Sequence, residues 1–182
     1  MSLKLPQISR EIILKHTKEL GREIFVIGMA MLLFITFVMQ TYAIEGSSME
    51  PTLQSGQRVI AEKVSYRFQT IETGDVVILF FPPEPTKTFV KRVLACPDDV
   101  LEINNGIPVV NGTPLTEEYI DPTLRSYEKI GPIRVPAGYY FVMGDHRNAS
   151  YDSRHFGFVP QKYITGRVVF RIWPLSEISI IE

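Results

Sequence analysis

The sequence is poor in the residues that form disulfides, metal sites and nucleic-acid surfaces. Its single cysteine, Cys96, excludes an internal disulfide. The three histidines, His16, His146 and His155, show no metal-ligand spacing such as His-Glu-x-x-His. The 19 Lys and Arg residues are balanced by 20 Asp and Glu, so the chain lacks the basic surplus of a nucleic-acid-binding protein. We therefore expect no metal, no cofactor and no nucleic-acid partner, and we interpret Cys96 as a packed side chain rather than a nucleophile.

Charge is also absent from one long stretch, between Glu23 and Glu45. As a helix at about 1.5 Å per residue, residues 24–44 would cross the roughly 30 Å hydrocarbon core of a membrane, so we predict a transmembrane helix here. A cleaved secretory signal is the alternative, because Thr-Tyr-Ala at 41–43 is a small-x-small pattern. The length of the apolar run and of the charged lead before it favours an anchor.

The basic residues predict the orientation of that anchor. Residues 1–23 are predicted to form a short amphipathic lead-in, whereas Arg58 and Lys63 are the first basic residues after the apolar run. Because Lys and Arg accumulate on the cytoplasmic side, the lead-in should be cytoplasmic and residues 45–182 should lie outside the cytoplasm. The basic residues of the lead-in are Lys4, Arg10, Lys15, Lys18 and Arg22.

Residues 45–182 have the pattern of a mainly β domain. Short runs rich in Val, Ile, Phe and Tyr alternate with Gly, Pro and Asn, and no long helical pattern is present. Asn105-Gly106 and Asn111-Gly112 each predict a type I′ hairpin turn. Residues 117–136 are polar and turn-rich, which predicts a long loop or minimal cap. The predicted strands are 58–63, 75–81, 88–95, 100–103, 107–110, 139–143 and 167–172.

The stretch 45–53, directly after the apolar run, would present a serine on a rigid turn. Gly46 allows another backbone to approach closely, and Pro51 fixes its own φ and blocks a helix. Ser48 between them is a candidate nucleophile. The alternative is an ordinary Gly/Ser/Pro turn where the chain leaves a membrane.

A lysine on an apolar strand is the second candidate for chemistry. Lys91 and Arg92 should point to opposite faces, because side chains alternate along a strand. If Lys91 faces the interior, desolvation lowers its pKa and makes it a neutral amine able to act as a base. The alternative is a solvated lysine on an edge strand.

The third candidate stretch, 143–154, follows an apolar strand and is dense in acids, bases and hydroxyls. It is either a solvated turn or a buried polar network that positions something. In a buried network Asp145 and Asp152 would pair with Arg92, Arg147 or Arg154. Composition leaves both interpretations open.

Taken in order, these three stretches closely resemble the bacterial type I signal peptidases, from residue 24 to about residue 172. The resemblance implies a mainly antiparallel β catalytic domain of the signal-peptidase and self-cleaving-repressor type, behind one N-terminal transmembrane helix. It implies a serine endopeptidase with Ser48 as nucleophile, Lys91 as general base and the Ser150 hydroxyl bonded to that lysine. The matching boxes are Ser48-Met49-x-Pro51-Thr52-Leu53, Val90-Lys91-Arg92-Val93 and Gly144-Asp145-x-Arg147-x-x-Ser150-x-Asp152-Ser153-Arg154.

The resemblance also implies the substrate and the location. The substrate is an exported preprotein that carries a signal peptide, binds as an extended strand and is cut after a small-x-small sequence. The protein would lie in a bacterial cytoplasmic membrane, with the lipid bilayer as a second partner and the catalytic domain on the outer face. The residues at the family's pocket positions are Ile44, Met49, Leu53, Phe89 and Val90.

The sequence departs from the family pattern in three places. Gly46 stands where some members have a serine whose hydroxyl helps bind the oxyanion, so backbone N–H groups, that of Ser48 first, are expected to form the hole. Asp98 stands where the family often has glycine, which leaves the geometry of that turn open. His146 and the Asn-Ala pair at 148–149 replace the common Asn and Asp-Asn, so no role is carried over to these side chains.

Two apolar stretches have two interpretations each. Each either packs in the core or forms a face that dips into a membrane. They are Phe80-Phe81-Pro82-Pro83 and the tail residues Trp173, Ile178, Ile180 and Ile181.

Other classes stay open at this point. A processing peptidase with a narrower substrate, or a non-catalytic anchored β-domain, would fit the same pattern. Self-cleaving repressors use a related Ser–Lys pair, but they carry a DNA-binding module where this chain has its apolar run. Penicillin-binding-type acyl enzymes need Ser-x-x-Lys; Ser126-Tyr127-Glu128-Lys129 matches, but it lies in a turn-rich loop and the chain has no Lys-Thr-Gly.

Overall fold

The structure is a computed structural model that describes residues 10–63 and 70–181. By its internal contacts the chain divides into two units, residues 1–38 and residues 39–182. The first unit contains helix α1, Arg10–Val38, and the second contains the β domain.

Helix α1 ends earlier than the apolar run does. Met39–Ala43 form strand β1, which pairs with β2 from Met39↔Glu62 to Ala43↔Arg58. Ile44 is buried in the core of the β domain. The predicted helix boundary at residue 44 is therefore wrong, because backbone pairing with β2 converts the end of the apolar run into a strand.

The prediction of a transmembrane helix over residues 24–44 is not supported. Over residues 10–63 and 70–181, no helix has the length and apolarity that crossing a membrane requires. The predicted sidedness of residues 1–23 and 45–182 stays a prediction.

In the residues that the structure describes, the β domain has two antiparallel sheets, which confirms the mainly antiparallel β part of the predicted fold class. The larger sheet has the order β1-β2-β11-β3-β4-β9-β10, with β12 paired to β11, and the smaller has the order β7-β6-β5-β8. The strands are β1 Met39–Ala43, β2 Arg58–Glu62, β3 Val76–Phe80, β4 Thr88–Ala95, β5 Val100–Asn104, β6 Ile107–Val110, β7 Thr113–Pro114, β8 Ile130–Arg134, β9 Tyr139–Met143, β10 Val159–Pro160, β11 Ile164–Trp173 and β12 Ser179–Ile180. A short helix, α2, spans Ser153–Phe156.

Every predicted strand is present, and the predicted loop is shorter than expected. Strand β8, Ile130–Arg134, lies inside the predicted loop 117–136 and pairs with β5. Within residues 117–129 the structure has a single 3-10 turn, Pro122–Leu124, and no strand. Two isoleucines separated by Gly131 and Pro132 give little local strand signal, so β8 depends on pairing with β5.

Both predicted hairpin turns are confirmed. Asn105 and Gly106 have φ of 49° and 79°, and Asn111 and Gly112 have φ of 51° and 81°. Positive φ at both central residues defines the type I′ turn, which only Asn, Asp and Gly adopt readily. Asp98, at the position where the family often has glycine, has φ of 72°, so aspartate keeps the left-handed turn there.

Strand β4 passes through the centre of the larger sheet, between β3 and β9. Val90 packs against one apolar cluster, Val93 belongs to a second and Leu94 to a third. Lys91 therefore lies on a strand that contacts all three clusters, which explains why a lysine there is buried.

Candidate active site

The structure brings Ser48 and Lys91 together. Lys91 lies opposite Val77 in the β3–β4 ladder, and 3% of the residue is exposed. Its Nζ lies 2.8 Å from Ser48 Oγ, at hydrogen-bond distance. The predicted inward orientation of Lys91 is thus observed, and the edge-strand alternative is not.

Burial lowers the pKa of Lys91 to about 8. Desolvation is the largest cause, since the apolar surroundings disfavour the charged ammonium. The negative charges of Asp152 and Asp145 raise the pKa again, and Arg154 lowers it. About a tenth of this amine is therefore unprotonated at pH 7, far more than for an ordinary surface lysine.

The turn that carries Ser48 is anchored on both sides. Gly46 has φ of 84°, which glycine adopts without strain. Met49 and Leu53 are buried in the first apolar cluster, and the backbone N–H of His146 donates to the Ser48 carbonyl at 3.1 Å. In the part of the chain that the structure describes, the Ser48 backbone N–H donates no hydrogen bond, so it is available to a ligand.

The predicted hydrogen bond between Ser150 and Lys91 is not made. Ser150 is 7% exposed, and its Oγ has no hydrogen-bond partner among the described residues. The nearby Ser150 hydroxyl contributes to lowering the pKa of the Asp152 carboxylate. The geometry between the two groups does not meet the criteria for a hydrogen bond. A buried hydroxyl without a partner is uncommon, and such groups are found at functional sites.

Gly144 allows the side chain of Ser150 and the backbone of Ser48 to pack close to the same point. A Cβ at Gly144 would lie 2.2 Å from Ser150 Oγ and 2.3 Å from the Ser48 carbonyl oxygen. No side chain fits in that space, so only glycine permits the third stretch to pack against the turn that carries Ser48.

Asp145 and Arg92 form a buried ion pair. Arg92 Nε donates to Asp145 Oδ1 at 3.0 Å and Nη2 donates to Oδ2 at 2.9 Å. Thr52 Oγ1 donates to the same carboxylate at 2.6 Å. This bidentate pair joins the nucleophile turn, the lysine strand and the third stretch, with 2% of the arginine side chain and none of the aspartate side chain exposed.

Asp152 and Arg154 form a second buried ion pair, at 2.8 Å between Oδ1 and Nε. Asp152 also caps helix α2 and accepts a bond from the Gly144 N–H at 3.1 Å. Burial by itself raises the pKa of Asp152, but the bond and charge of Arg154 outweigh it and hold that pKa below its ordinary value. The third stretch is therefore a buried network rather than a solvated turn.

Arg147 pairs with a residue that the sequence did not indicate. Its guanidinium donates to both carboxylate oxygens of Glu117, and its Nε donates to the Gly144 carbonyl at 3.0 Å. The hydroxyl of Tyr119 also donates to Glu117, at 3.1 Å. Because Glu117 lies in a polar, turn-rich stretch, nothing in its neighbourhood suggests burial.

A cleft of about 380 Å³ leads to Ser48 and Lys91. The predicted pocket residues Ile44, Met49, Phe89 and Val90 line it. Leu53 does not; it is completely buried in the core beneath the nucleophile turn, so this prediction is wrong. Residues that line the cleft but were not predicted as site residues are Tyr42, Ala43, Glu45, Ser47, Thr88, Ala149 and Tyr151.

The structure gives no catalytic role to the Ser-x-x-Lys match or to Cys96. Ser126 is buried and accepts a bond from Arg154 Nη1 at 3.1 Å, while Lys129 is exposed, so the Ser-x-x-Lys match is not a catalytic pair. Cys96 Sγ donates to the Ile71 carbonyl at 3.3 Å, and burial raises the pKa of the Cys96 thiol. Across the described residues, no cluster of three or more His, Cys, Asp and Glu side chains could hold a metal ion.

The two apolar stretches divide between core and surface. Phe81 packs against Phe89 and Phe156, with ring centroids 4.7 and 5.4 Å apart. Ile181 packs against the first apolar cluster. The residues of the two stretches that are left exposed are Phe80, Pro83, Trp173, Ile178 and Ile180.

Comparison with known proteins identifies the family. Residues 17–173 match the family model described as signal peptidase, peptidase S26. The chain is 44% identical to a probable signal peptidase I-1 of Synechocystis sp., over 80% of this chain and 77% of that protein. It is 36% identical to signal peptidase IB of Staphylococcus aureus, over 88% of this chain and 93% of that protein.

A crystal structure of a signal peptidase I from Enterococcus faecalis V583 is 26% identical, with a TM-score of 0.48, and covers 54% of this chain and 97% of its own. The sequence matches extend over most of the chain, and the family-model match includes the nucleophile turn, the lysine strand and the third stretch. The chain therefore belongs to the signal peptidase S26 family, and it is a peptidase.

Proposed function

We propose that this peptidase removes N-terminal signal peptides from exported preproteins by a serine–lysine mechanism. The observation that carries the proposal is the 2.8 Å contact between Lys91 Nζ and Ser48 Oγ at the cleft, with burial lowering the pKa of the lysine to about 8. A neutral amine at this distance can accept the proton of the attacking hydroxyl.

In the first step the Ser48 oxygen attacks the carbonyl carbon of the scissile peptide bond while its proton passes to Lys91. The carboxylates of Asp152 and Asp145, which raise the pKa of Lys91, stabilise the ammonium that forms. The ammonium then gives its proton to the leaving nitrogen. The carbon–nitrogen bond breaks, and the acyl group stays on Ser48 as an ester. In the second step Lys91 takes a proton from water, whose oxygen attacks the ester carbonyl. The bond to Ser48 then breaks, the ammonium returns its proton to the Ser48 oxygen, and the peptide acid is released with the hydroxyl and the neutral amine regenerated.

We assign the oxyanion hole to backbone donors. The Ser48 N–H is the first candidate, because it donates no bond within the described residues. Gly46 supplies no side-chain donor, and its φ of 84° shapes the turn that presents the N–H. Preorganised N–H groups of this kind stabilise the charge that develops on the carbonyl oxygen.

Ser150 is assigned the role of orienting Lys91 during proton transfer. Its hydroxyl is buried, has no partner among the described residues and lies beside Gly144, against which the Ser48 carbonyl also packs. A free hydroxyl at this point can accept a bond from Lys91 once the amine is protonated and its bond to Ser48 changes.

The cleft suits an extended peptide with small side chains near the cut. The cleft is lined mainly by residues 42–49 and by Thr88 to Lys91, so we place the substrate chain between these two segments. The apolar side chains of Ile44, Met49, Phe89 and Val90 are the proposed contacts. Ala-x-Ala-like sequences fit this small apolar cleft better than long or charged side chains do.

The test is labelling by a serine-reactive acylating probe, together with cleavage of a purified preprotein. We expect the probe to modify Ser48, and Ser48→Ala to abolish both labelling and cleavage. Ser150→Ala should fold and react more than about tenfold more slowly, because an orienting bond is lost. A Ser48→Ala enzyme that still cleaves the preprotein would refute the mechanism, and unchanged kinetics of Ser150→Ala would remove Ser150 from the site.

We further propose that α1 attaches the peptidase to the cytoplasmic membrane, which exported preproteins cross. Many apolar side chains on this helix are exposed; Ile24, Phe25 and Ile27 are 62%, 67% and 67% exposed. Exposed apolar surface of this kind favours contact with lipid.

The wild-type protein should stay with membranes after alkaline extraction, and Phe25→Asp/Ile27→Asp should release it. Retention of the double variant on membranes would argue against α1 as the attachment.

A further inference from the structure

Glu117 is a buried acid outside the nucleophile turn, the lysine strand and the third stretch. It precedes the 3-10 turn Pro122–Leu124, and 1% of its side chain is exposed. Both of its carboxylate oxygens accept bonds from Arg147, whose side chain is also 1% exposed. Removing two charges from water is costly, so the pair persists only with good geometry and further bonds.

The same guanidinium continues the chain of contacts to the catalytic residues. Arg147 Nε donates to the Gly144 carbonyl at 3.0 Å, in a buried position. Gly144 in turn is packed so closely that an added Cβ would lie 2.2 Å from Ser150 Oγ and 2.3 Å from the Ser48 carbonyl oxygen. Gly144 therefore packs directly against Ser150 and against the backbone of the Ser48 turn, so a displacement of Gly144 would be transmitted to both.

A second route joins Glu117 to the lysine strand. Tyr119 donates its hydroxyl to Glu117 at 3.1 Å, and the guanidinium of Arg92 lies 3.8 Å from the centre of the Tyr119 ring. Arg92 is the neighbour of Lys91 and the partner of Asp145. Burial raises the pKa of Tyr119, so its hydroxyl keeps the proton that it donates.

We propose that Glu117 is a positioning residue for the peptidase reaction. It aims Arg147 at the Gly144 carbonyl and so holds Gly144, Ser150 and the Ser48 turn in their catalytic arrangement. The inference rests on the proposed serine–lysine function and adds to it a residue from the stretch between β7 and β8.

The test compares kcat, KM and thermal unfolding of the full chain in detergent, with a small-x-small peptide as substrate. Glu117→Gln should lower kcat by about tenfold or more and change KM by less than about twofold, because neither Glu117 nor Arg147 lines the cleft. The control is Glu118→Gln, which changes the exposed neighbour and should leave kcat unaltered.

A double variant separates positioning from stability. Glu117→Gln/Arg147→Met removes both charges, so no uncompensated charge stays buried and the unfolding temperature should recover towards wild type. Its kcat should stay low, because the Gly144 carbonyl has lost its donor. Arg147→Lys keeps the charge opposite Glu117 but cannot contact both partners, and we expect it to fold with a similar loss of kcat.

The outcomes decide between two roles. Recovery of kcat together with stability in the double variant would show a structural role only and would overturn the proposal, as would a folded Glu117→Gln enzyme with wild-type kcat. Failure of Glu117→Gln to fold would leave the decision to the double variant and Arg147→Lys. Failure of the wild-type enzyme to cleave the peptide or to be labelled at Ser48 would instead refute the proposed function.

Discussion

Lys91→Arg is expected to fold and to be inactive at every pH. Arginine keeps the positive charge and most of the side-chain length, but a guanidinium does not deprotonate in proteins and cannot accept the proton of Ser48. The loss of a general base lowers turnover by about a hundredfold or more. The measurement is peptide cleavage across the pH range, with far-ultraviolet circular dichroism to show that the variant is folded.

Lys87→Arg is the matched control. Lys87 is a solvent-exposed lysine close to β4, with 59% of its side chain exposed and an ion pair to Glu84. The same chemical change there should leave turnover unaltered. Near-normal turnover of Lys91→Arg would show that Lys91 is not the base.

The same assignment sets the pH dependence of the wild-type enzyme. The acid limb of kcat/KM should have an apparent pKa of about 8, the value to which burial lowers that of Lys91. Activity is expected to rise with pH, because the reactive form is the unprotonated amine. His146→Asn should keep this limb; its disappearance in that variant would assign the titration to the histidine.

The sign of the stability effect follows from the same shift. Because the pKa of Lys91 is lower in the folded protein than in the unfolded chain, the unfolded chain binds the proton more tightly between about pH 8 and the ordinary lysine value of 10.5. Below this window Lys91 therefore lowers the free energy of unfolding. The free energy of unfolding increases again as the pH rises through the window. The buried lysine costs stability in exchange for a base.

Asp152→Asn is expected to cause the largest loss of stability. None of the Asp152 side chain and 3% of the Arg154 side chain are exposed, so the variant removes the buried carboxylate partner of a buried guanidinium. Breaking a buried pair in this way costs about 3 kcal/mol or more of unfolding free energy. Urea unfolding of the full chain in detergent measures it.

Glu128→Gln provides the comparison on the same arginine. Glu128 also pairs with Arg154, at 3.2 Å, but 47% of its side chain is exposed. Solvent screening limits such a pair to less than about 1 kcal/mol. Equal destabilisation by the two variants would contradict the importance of burial here.

The contribution of Asp152 to the free energy of unfolding should also depend on pH. Its pKa is held below the ordinary value in the folded protein, mainly by Arg154 against the effect of burial. The stability that Asp152 contributes is therefore present above the ordinary aspartate pKa and is lost as the pH falls below it. Asp152→Asn should flatten this acid-side decrease.

Several features could be predicted because their causes lie within a few residues. The Asn-Gly pairs at 105–106 and 111–112 specify their turns through positive φ. The strands with apolar runs, such as β3 and β4, form where predicted. For Ser48 and Lys91 the sequence offered candidates and a family resemblance, while the alternatives of a surface turn and an edge strand were still open.

Other features arise only from contacts between distant parts of the chain. Residues 39–43 become β1 because the backbone of β2 pairs with them, although their sequence continues an apolar run. Leu53 is drawn into the core, away from the cleft where the family resemblance had placed it. Ser150 keeps a buried hydroxyl without a bond to Lys91. Local propensity carries no information about such pairings, so no window of sequence could have indicated them.

The sequence by itself determined the β class, the turns and the residue types available for chemistry, because backbone preference and side-chain alternation act locally. Tertiary structure alone decided that Lys91 meets Ser48, 43 residues away, and that Arg147 meets Glu117, 30 residues away. It also decided the burial that lowers the pKa of the lysine. Desolvation and ion pairing depend on what surrounds a group in space, and that environment exists only once distant parts of the chain have packed around β4.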